Sequence, residues 1–230
     1  MRPDRQGAAP TTDLTADLPA LALFDFCVPV RRRARRLTVD GDLSDWPEGC
    51  HLPDLAAIGG VPGGASVLMA WDERGLYFAV EVRDQRRVQV DPKRPHRGDA
   101  LFLWIDTRDV RDAQRAGRFC HHFVALPLGG QRLRKPEAAW QAPIPRAREQ
   151  APMCRPSEIQ TACDVRAYGY SLELAIAASA LNGFDPSEFP RLGLAYMVSH
   201  CARSPDLWPV PPHLPFGHDP STWATIDLVR

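Results

Sequence analysis

The sequence has no charge imbalance, no apolar run of bilayer length and no paired-cysteine spacing. Its 28 Lys and Arg cancel its 28 Asp and Glu, so no net field steers the whole molecule towards nucleic acid or a membrane surface. No stretch approaches the roughly 20 apolar residues that a membrane-crossing helix needs. The six cysteines (Cys27, Cys50, Cys120, Cys154, Cys163 and Cys201) form neither CxxC nor a metal-ribbon pattern, and read as reduced, mostly buried thiols. The first 26 residues scatter acidic side chains and lack a clean apolar centre, so they do not read as a secretory signal. The expected compartment is the cytoplasm. Catalytic signatures are missing too: there is no GxSxG, no phosphate-cradling glycine loop and no HExxH. Intrinsic catalysis is not expected. Uninterrupted helix-length stretches are also scarce, because 23 prolines and 16 glycines punctuate the 230 residues. That favours an all-β chain with many turns.

The most informative stretch is GDALFLWID, residues 98–106. On a strand, alternate side chains face opposite ways. One face then carries Leu101, Leu103 and Ile105, and the other Ala100, Phe102, Trp104 and Asp106. A strand apolar on both faces belongs in the middle of a sheet that is covered twice.

The remaining segments supply its neighbours. Residues 65–72 and 75–84 read as a hairpin about Glu73-Arg74-Gly75, and residues 159–168 and 170–178 as another about Gly169. Further strands are expected at 21–28, 119–127, 191–201 and 225–229, with a short strand from Leu37 that runs into an Asp-Gly turn before Trp46, and one helical turn at 179–184. Residues 1–20 read as a disordered or draped arm, and 21–230 as a single domain. The stretch 128–158, rich in Pro, Arg and Gly, reads as a long insertion with an exposed Trp140. The one dense basic run, Arg31 to Arg36, reads as a solvated connector, since no aromatics interleave it. The fold class that follows is a two-sheet antiparallel β-sandwich, jelly-roll or immunoglobulin-like, with short helical turns.

Six segments in order, VDGDLSDW, AWDERGLYFAVEVRD, GDALFLWID, GYSLELAI, LGLAYMV and HDPSTWATIDL, resemble the family 9 carbohydrate-binding modules, within the wider DOMON-like sandwiches. The resemblance spans about residues 37–229. It implies a non-catalytic module linked to glycan recognition or carbohydrate catabolism. In that family two tryptophans clamp a terminal sugar, polar side chains on the concave sheet bind its hydroxyls, and calcium is often bound structurally.

This chain departs from the pattern at the site itself. The clamp positions fall at His96 and at Gly217, beside Phe216. The family's central acidic residue falls on Phe102, its arginine on Val124, and its Asn-Asp pair on Ser199-His200. With strands registered as in the family, the ligand face displays Phe102, Trp104, His122, Val124 and Met197, an apolar floor that needs a cover. The N-terminal arm, the 128–158 insertion, a partner protein or an apolar ligand would each serve.

The expected carbohydrate-binding residues are therefore His96, Phe102, Trp104, His122 and Phe216, with Trp208 and Trp140 as loop aromatics. His122 with Met197 is an axial pair suited to a b-type haem, and some DOMON-like relatives bind haem. A haem-carrying electron-transfer domain is thus a competing expectation. A third is an interaction or scaffold protein whose former sugar face is sealed. Asp84, Asp99 and Asp106 are calcium candidates, although turn and end-capping bonds are the expected role of most such residues. Glu173, among apolar neighbours, reads as a structural carboxylate.

Overall fold

The computed structural model describes residues 27–53, 65–83, 87–128, 138–201, 203–210 and 213–230. Within them the chain forms two packed sheets. The larger is ordered β1 (Cys27–Arg31), β11 (Ala224–Val229), β9 (Arg191–Ser199), β4 (Ala100–Asp106), β5 (Cys120–Ala125) and β6 (Ala139–Ala142), with β10 (Asp206–Trp208) also paired to β9. The smaller runs β2 (Ala65–Asp72), β3 (Gly75–Val82), β8 (Gly169–Ala177) and β7 (Ile159–Arg166). This is the expected β-sandwich, and among the described residues its only helical elements are single 3-10 turns. None is long and apolar enough to cross a membrane. One pairing departs from antiparallel: β1 lies parallel to β11.

β4 sits between β9 and β5, as its two apolar faces require. Leu101, Leu103 and Ile105 enter the core between the sheets, with Phe78, Leu172, Leu174 and Trp71 opposite. Both expected hairpins form. Gly169, at φ +113°, is required where β8 begins, because a Cβ there would lie 1.9 Å from the Val82 carbonyl oxygen.

Several expectations are corrected. The first strand is Cys27–Arg31, later than residues 21–28, and the proposed N-terminal arm lies outside the described residues. The short strand expected from Leu37 does not form; the chain bends at Asp40-Gly41 as expected and continues as a loop with a 3-10 turn at Leu43–Asp45. The reason is Glu173. Its buried carboxylate accepts from the amides of Asp40 (2.9 Å) and Gly41 (2.6 Å) and from Trp46 Nε1 (2.8 Å). The loop is thus pinned to β8 instead of joining a ladder. The basic run is also less solvated than expected. Arg33 is buried, donates through Nε to Asp72 at 2.8 Å and lies 4.3 Å from the Tyr77 ring centroid, while Arg32 pairs with Glu73. The stretch 128–158 is no simple insertion: its residues 139–142 become edge strand β6.

Glu173→Ala would leave three shielded N–H donors without an acceptor, and should lower the unfolding free energy by roughly 3 kcal/mol. Glu173→Gln, which keeps one acceptor oxygen, should cost less. Urea denaturation reads both, and a loss below about 0.5 kcal/mol for Glu173→Ala would contradict the anchoring role.

Candidate functional site

The outer face of β4 carries Ala100, Phe102 and Trp104, flanked by Cys120, His122 and Val124 from β5 and by Ala195 and Met197 from β9. The register sets His122 opposite Trp104 and Met197 opposite Phe102. Trp104 and His122 stack with centroids 4.7 Å apart and planes 6° apart, and Phe102 continues the row 6.1 Å from each. Phe216 meets Trp104 edge-on at 5.1 Å. The expected floor is therefore present, and in the expected register.

It is not open. Phe102 is 7% exposed and Trp104 5%. The cover is the chain's own. Ile144 and Ala147 come from the segment after β6, Ala116 from the loop before β5, and Phe216 and Trp223 from the approach to β11. These loops are tied together by backbone bonds from Ala116 N to His218 O (3.2 Å) and from Arg148 N to Ala116 O (2.8 Å). Trp223 Nε1 adds a bond to Phe216 O at 2.7 Å. Trp140, expected to be exposed, sits half-buried on β6 against the same cluster. The part of the 128–158 stretch that is described thus supplies much of the cover.

Closure has an electrostatic consequence. Trp104 Nε1 and both His122 ring nitrogens are shielded from solvent and lack hydrogen-bond partners. Burial pushes the His122 pKa down to about 4; the Pro143 carbonyl lies close enough to oppose this shift, though not in good hydrogen-bond geometry. Its neighbour His121, on the inner face of β5, is likewise depressed to about 4 by burial. Both imidazoles are neutral near pH 7.

The other sequence candidates are dispersed. His96 is exposed on the 3-10 turn before β4, at the far end of that strand from Asp106. Trp208 is corrected outright: it is 1% exposed in the core between the sheets, stacked on Tyr196 at 5.7 Å, where no ligand on the outer face reaches it. His122 and Met197 do not fit the haem reading. They project from the same sheet on either side of β4, with the Trp104 and Phe102 rings between them, so they do not oppose each other across an iron.

Nor do the calcium candidates converge. Asp99 and Asp106 bracket β4, about 20 Å apart along an extended strand. Asp99 accepts from Gln89 N, and Asp106 from the amides of Arg108 and Val110. Asp84 lies outside the described residues. Among the described residues no three His, Cys, Asp or Glu side chains gather as metal ligands would.

One feature at the rim escaped sequence reasoning. Where the three covering loops meet, a cleft of about 510 Å³ is lined by Gln114, Arg115, Arg146, His218 and Asp219. It adjoins Phe216 and Gly217, the second clamp position of the resemblance. Its residues come from three separate loops, and in the sequence they form no local motif.

The fold is that of the family 9 carbohydrate-binding modules. A module from Caldicellulosiruptor kristjanssonii, solved with cellotriose and with glucose, matches 89% of this chain with TM-scores of 0.59 and 0.60. The match covers 94% and 97% of the module in the two structures, at 15% sequence identity. No protein-family model matches the sequence, and no curated protein does either.

Two measurements check the closed floor. Trp104→Ala should destabilise the fold by about 3–5 kcal/mol, the usual cost of emptying a buried aromatic site. A loss under about 1 kcal/mol in chemical denaturation would mean that the ring is solvated. The second measurement is pH dependence. Unfolded histidine protonates near 6.5, so the stability due to neutral burial is full above that value and is lost as pH falls towards 4. Each buried imidazole contributes up to about 1.4 kcal/mol per pH unit in that window. Asp106 and Glu173, whose pKa values burial raises, pull the opposite way. Comparison with His122→Phe cancels their share. Between pH 6.5 and 5 the variant's unfolding free energy should fall less steeply, by about 1 kcal/mol per unit; equal slopes would contradict the buried neutral state.

Proposed function

We propose that the chain is a non-catalytic binding module that holds a saccharide in the cleft at the rim of the β4–β5–β9 face, and not on its floor. The observation that carries this reading is the cleft itself: an open recess of about 510 Å³ lined by an amide, two guanidinium groups, an imidazole and a carboxylate. That volume falls in the range of small-molecule sites. Planar polar side chains of this kind hydrogen-bond vicinal hydroxyls. The same-fold module that carries glucose and cellotriose supports a sugar as the ligand. The closed floor moves the contact outward, to the loops that close it.

A non-catalytic role agrees with how the buried carboxylates are used. Glu173 is occupied by three N–H donors on the opposite sheet from Asp99, so the two are not poised about a shared cleft. A second reading, an interaction module whose floor is sealed, draws on the burial of Phe102 and Trp104.

Titration calorimetry against a panel of mono- and oligosaccharides separates the two. Binding is expected, with Gln114→Ala and His218→Ala each weakening it roughly three- to tenfold while the melting temperature holds, as loss of one hydrogen bond at an exposed site predicts. Binding unaffected by either substitution, or no binding across the panel by folded protein, would overturn the rim site and favour the interaction module.

A further inference from the structure

We infer that the saccharide taken by this cleft is anionic, bearing a carboxylate or a sulfate ester that the two arginines hold. This deepens the proposed function and rests on it.

The charge around the cleft is uneven. Arg115 and Arg146 face it with one carboxylate, Asp219, in the lining. Asp219 is partly committed within its own turn: one oxygen accepts from Ser221 N at 3.0 Å and from Ser221 Oγ at 2.6 Å, capping the 3-10 turn that follows. No carboxylate ion-pairs with either arginine among the described residues. Arg115 is held by neutral acceptors instead: its Nε donates to Arg146 O at 2.8 Å and its Nη2 to Ala147 O at 3.4 Å. Those bonds orient the guanidinium without cancelling its charge, and leave Nη1 unbound. Arg146 sits at φ +57°, a backbone region that non-glycine residues seldom adopt. Its own carbonyl is the group that Arg115 grips, so the turn that fixes one arginine also presents the other.

Several arginines elsewhere are tied to acids: Arg32 to Glu73, Arg33 to Asp72, Arg155 to Glu158, Arg166 to Asp164 and Arg203 to Asp206. Arg115 and Arg146 have no such partner among the described residues, and different loops bring them to one recess. A guanidinium presents parallel N–H donors that match a carboxylate or sulfate in bidentate fashion. The neighbouring Gln114 and His218 are left for the hydroxyls of the same ring. Carboxylate and sulfate share this recognition chemistry, so the test distinguishes them.

Calorimetry on the full chain would use an oligogalacturonate, a sulfated oligosaccharide, a neutral cello-oligosaccharide of equal length and inorganic sulfate. At low salt, one of the two anionic sugars should bind at least about tenfold more tightly than the neutral one. The affinity should fall as sodium chloride rises from about 50 to 500 mM, because exposed ion pairs are screened. Arg146→Gln should erase most of the preference without lowering the melting temperature. The salt series on the unaltered protein tests the inference even if that variant folds poorly. If the neutral sugar binds equally well and Arg146→Gln changes nothing, the inference falls and the saccharide site stands. If inorganic sulfate binds as tightly as the anionic sugars, an adventitious ion only is bound and the inference falls. If no sugar of either kind binds folded protein, the proposed function falls first and this inference with it.

Discussion

The structure depends on a constraint set by one strand: β4 is apolar on both faces and must be covered twice. The first cover is the second sheet. Leu101, Leu103 and Ile105 meet the inner faces of β3 and β8, and that contact makes the chain a sandwich. A sheet stable with one dry face could have left the other face wet. Here Phe102 and Trp104 occupy the outer face, with His122, Val124 and Met197 beside them, and such an area of exposed apolar surface is rare on a monomer unless something binds it. The three loops that converge on it answer that second demand.

Closing the outer face has a cost in unpaired polar atoms, as does the inner face at Tyr170 OH and His121 Nε2. The core between the sheets is built largely from aliphatic and aromatic groups, and its buried Trp71 finds an acceptor in the Val30 carbonyl at 2.9 Å. Beneath the loops, Trp104 Nε1 and both His122 nitrogens are shielded without partners. Each orphaned polar atom disfavours closure by about 1–3 kcal/mol. What offsets this is packing of the Phe102–Trp104–His122 row against Phe216, Ile144 and Trp223, together with the backbone bonds that join the loops to one another. The outer cover therefore depends on that packing, and His122 in particular must stay neutral for it to persist.

Much of this was legible in the residues. Alternation in GDALFLWID placed β4 at the centre, and the glycines at 75 and 169 gave both hairpins, because a strand period and a turn residue are local signals. Identity of the floor residues followed from register. What was not legible depended on partners distant in sequence. LTVDGDLSDW has strand-like composition, yet three of its N–H groups are claimed by Glu173, more than 125 positions later. Arg33 looked solvated within a basic run until Asp72 and Tyr77 arrived from β2 and β3. Trp208 read as a loop aromatic because three residues of β10, between prolines, are too short to announce a strand. The cleft was invisible for the same reason: Gln114 and Arg115, Arg146, and His218 and Asp219 become neighbours only once the loops close.

Closure of the floor and existence of the rim cleft are two results of one arrangement. Ala116 goes down onto the floor while its predecessors Gln114 and Arg115 point to the recess; Ala147 packs below while Arg146 lines the opening; Phe216 meets Trp104 while His218 and Asp219 stand above. Each loop thus puts small or apolar residues on the floor and polar ones on the cleft. The division follows from solvation: residues facing the aromatic row are dehydrated and must be apolar, while those one or two positions away stay in water and can carry charge. The sequence resemblance to family 9 modules leads to the expectation of a sugar on the concave face itself. Here the dry floor is filled by the chain, and polar groups suited to hydroxyls or anions sit one layer further out, supported by the loops they belong to. Opening the floor would separate those loops and take the cleft apart, so a ligand bound across the rim would favour the closed form by holding the loops together.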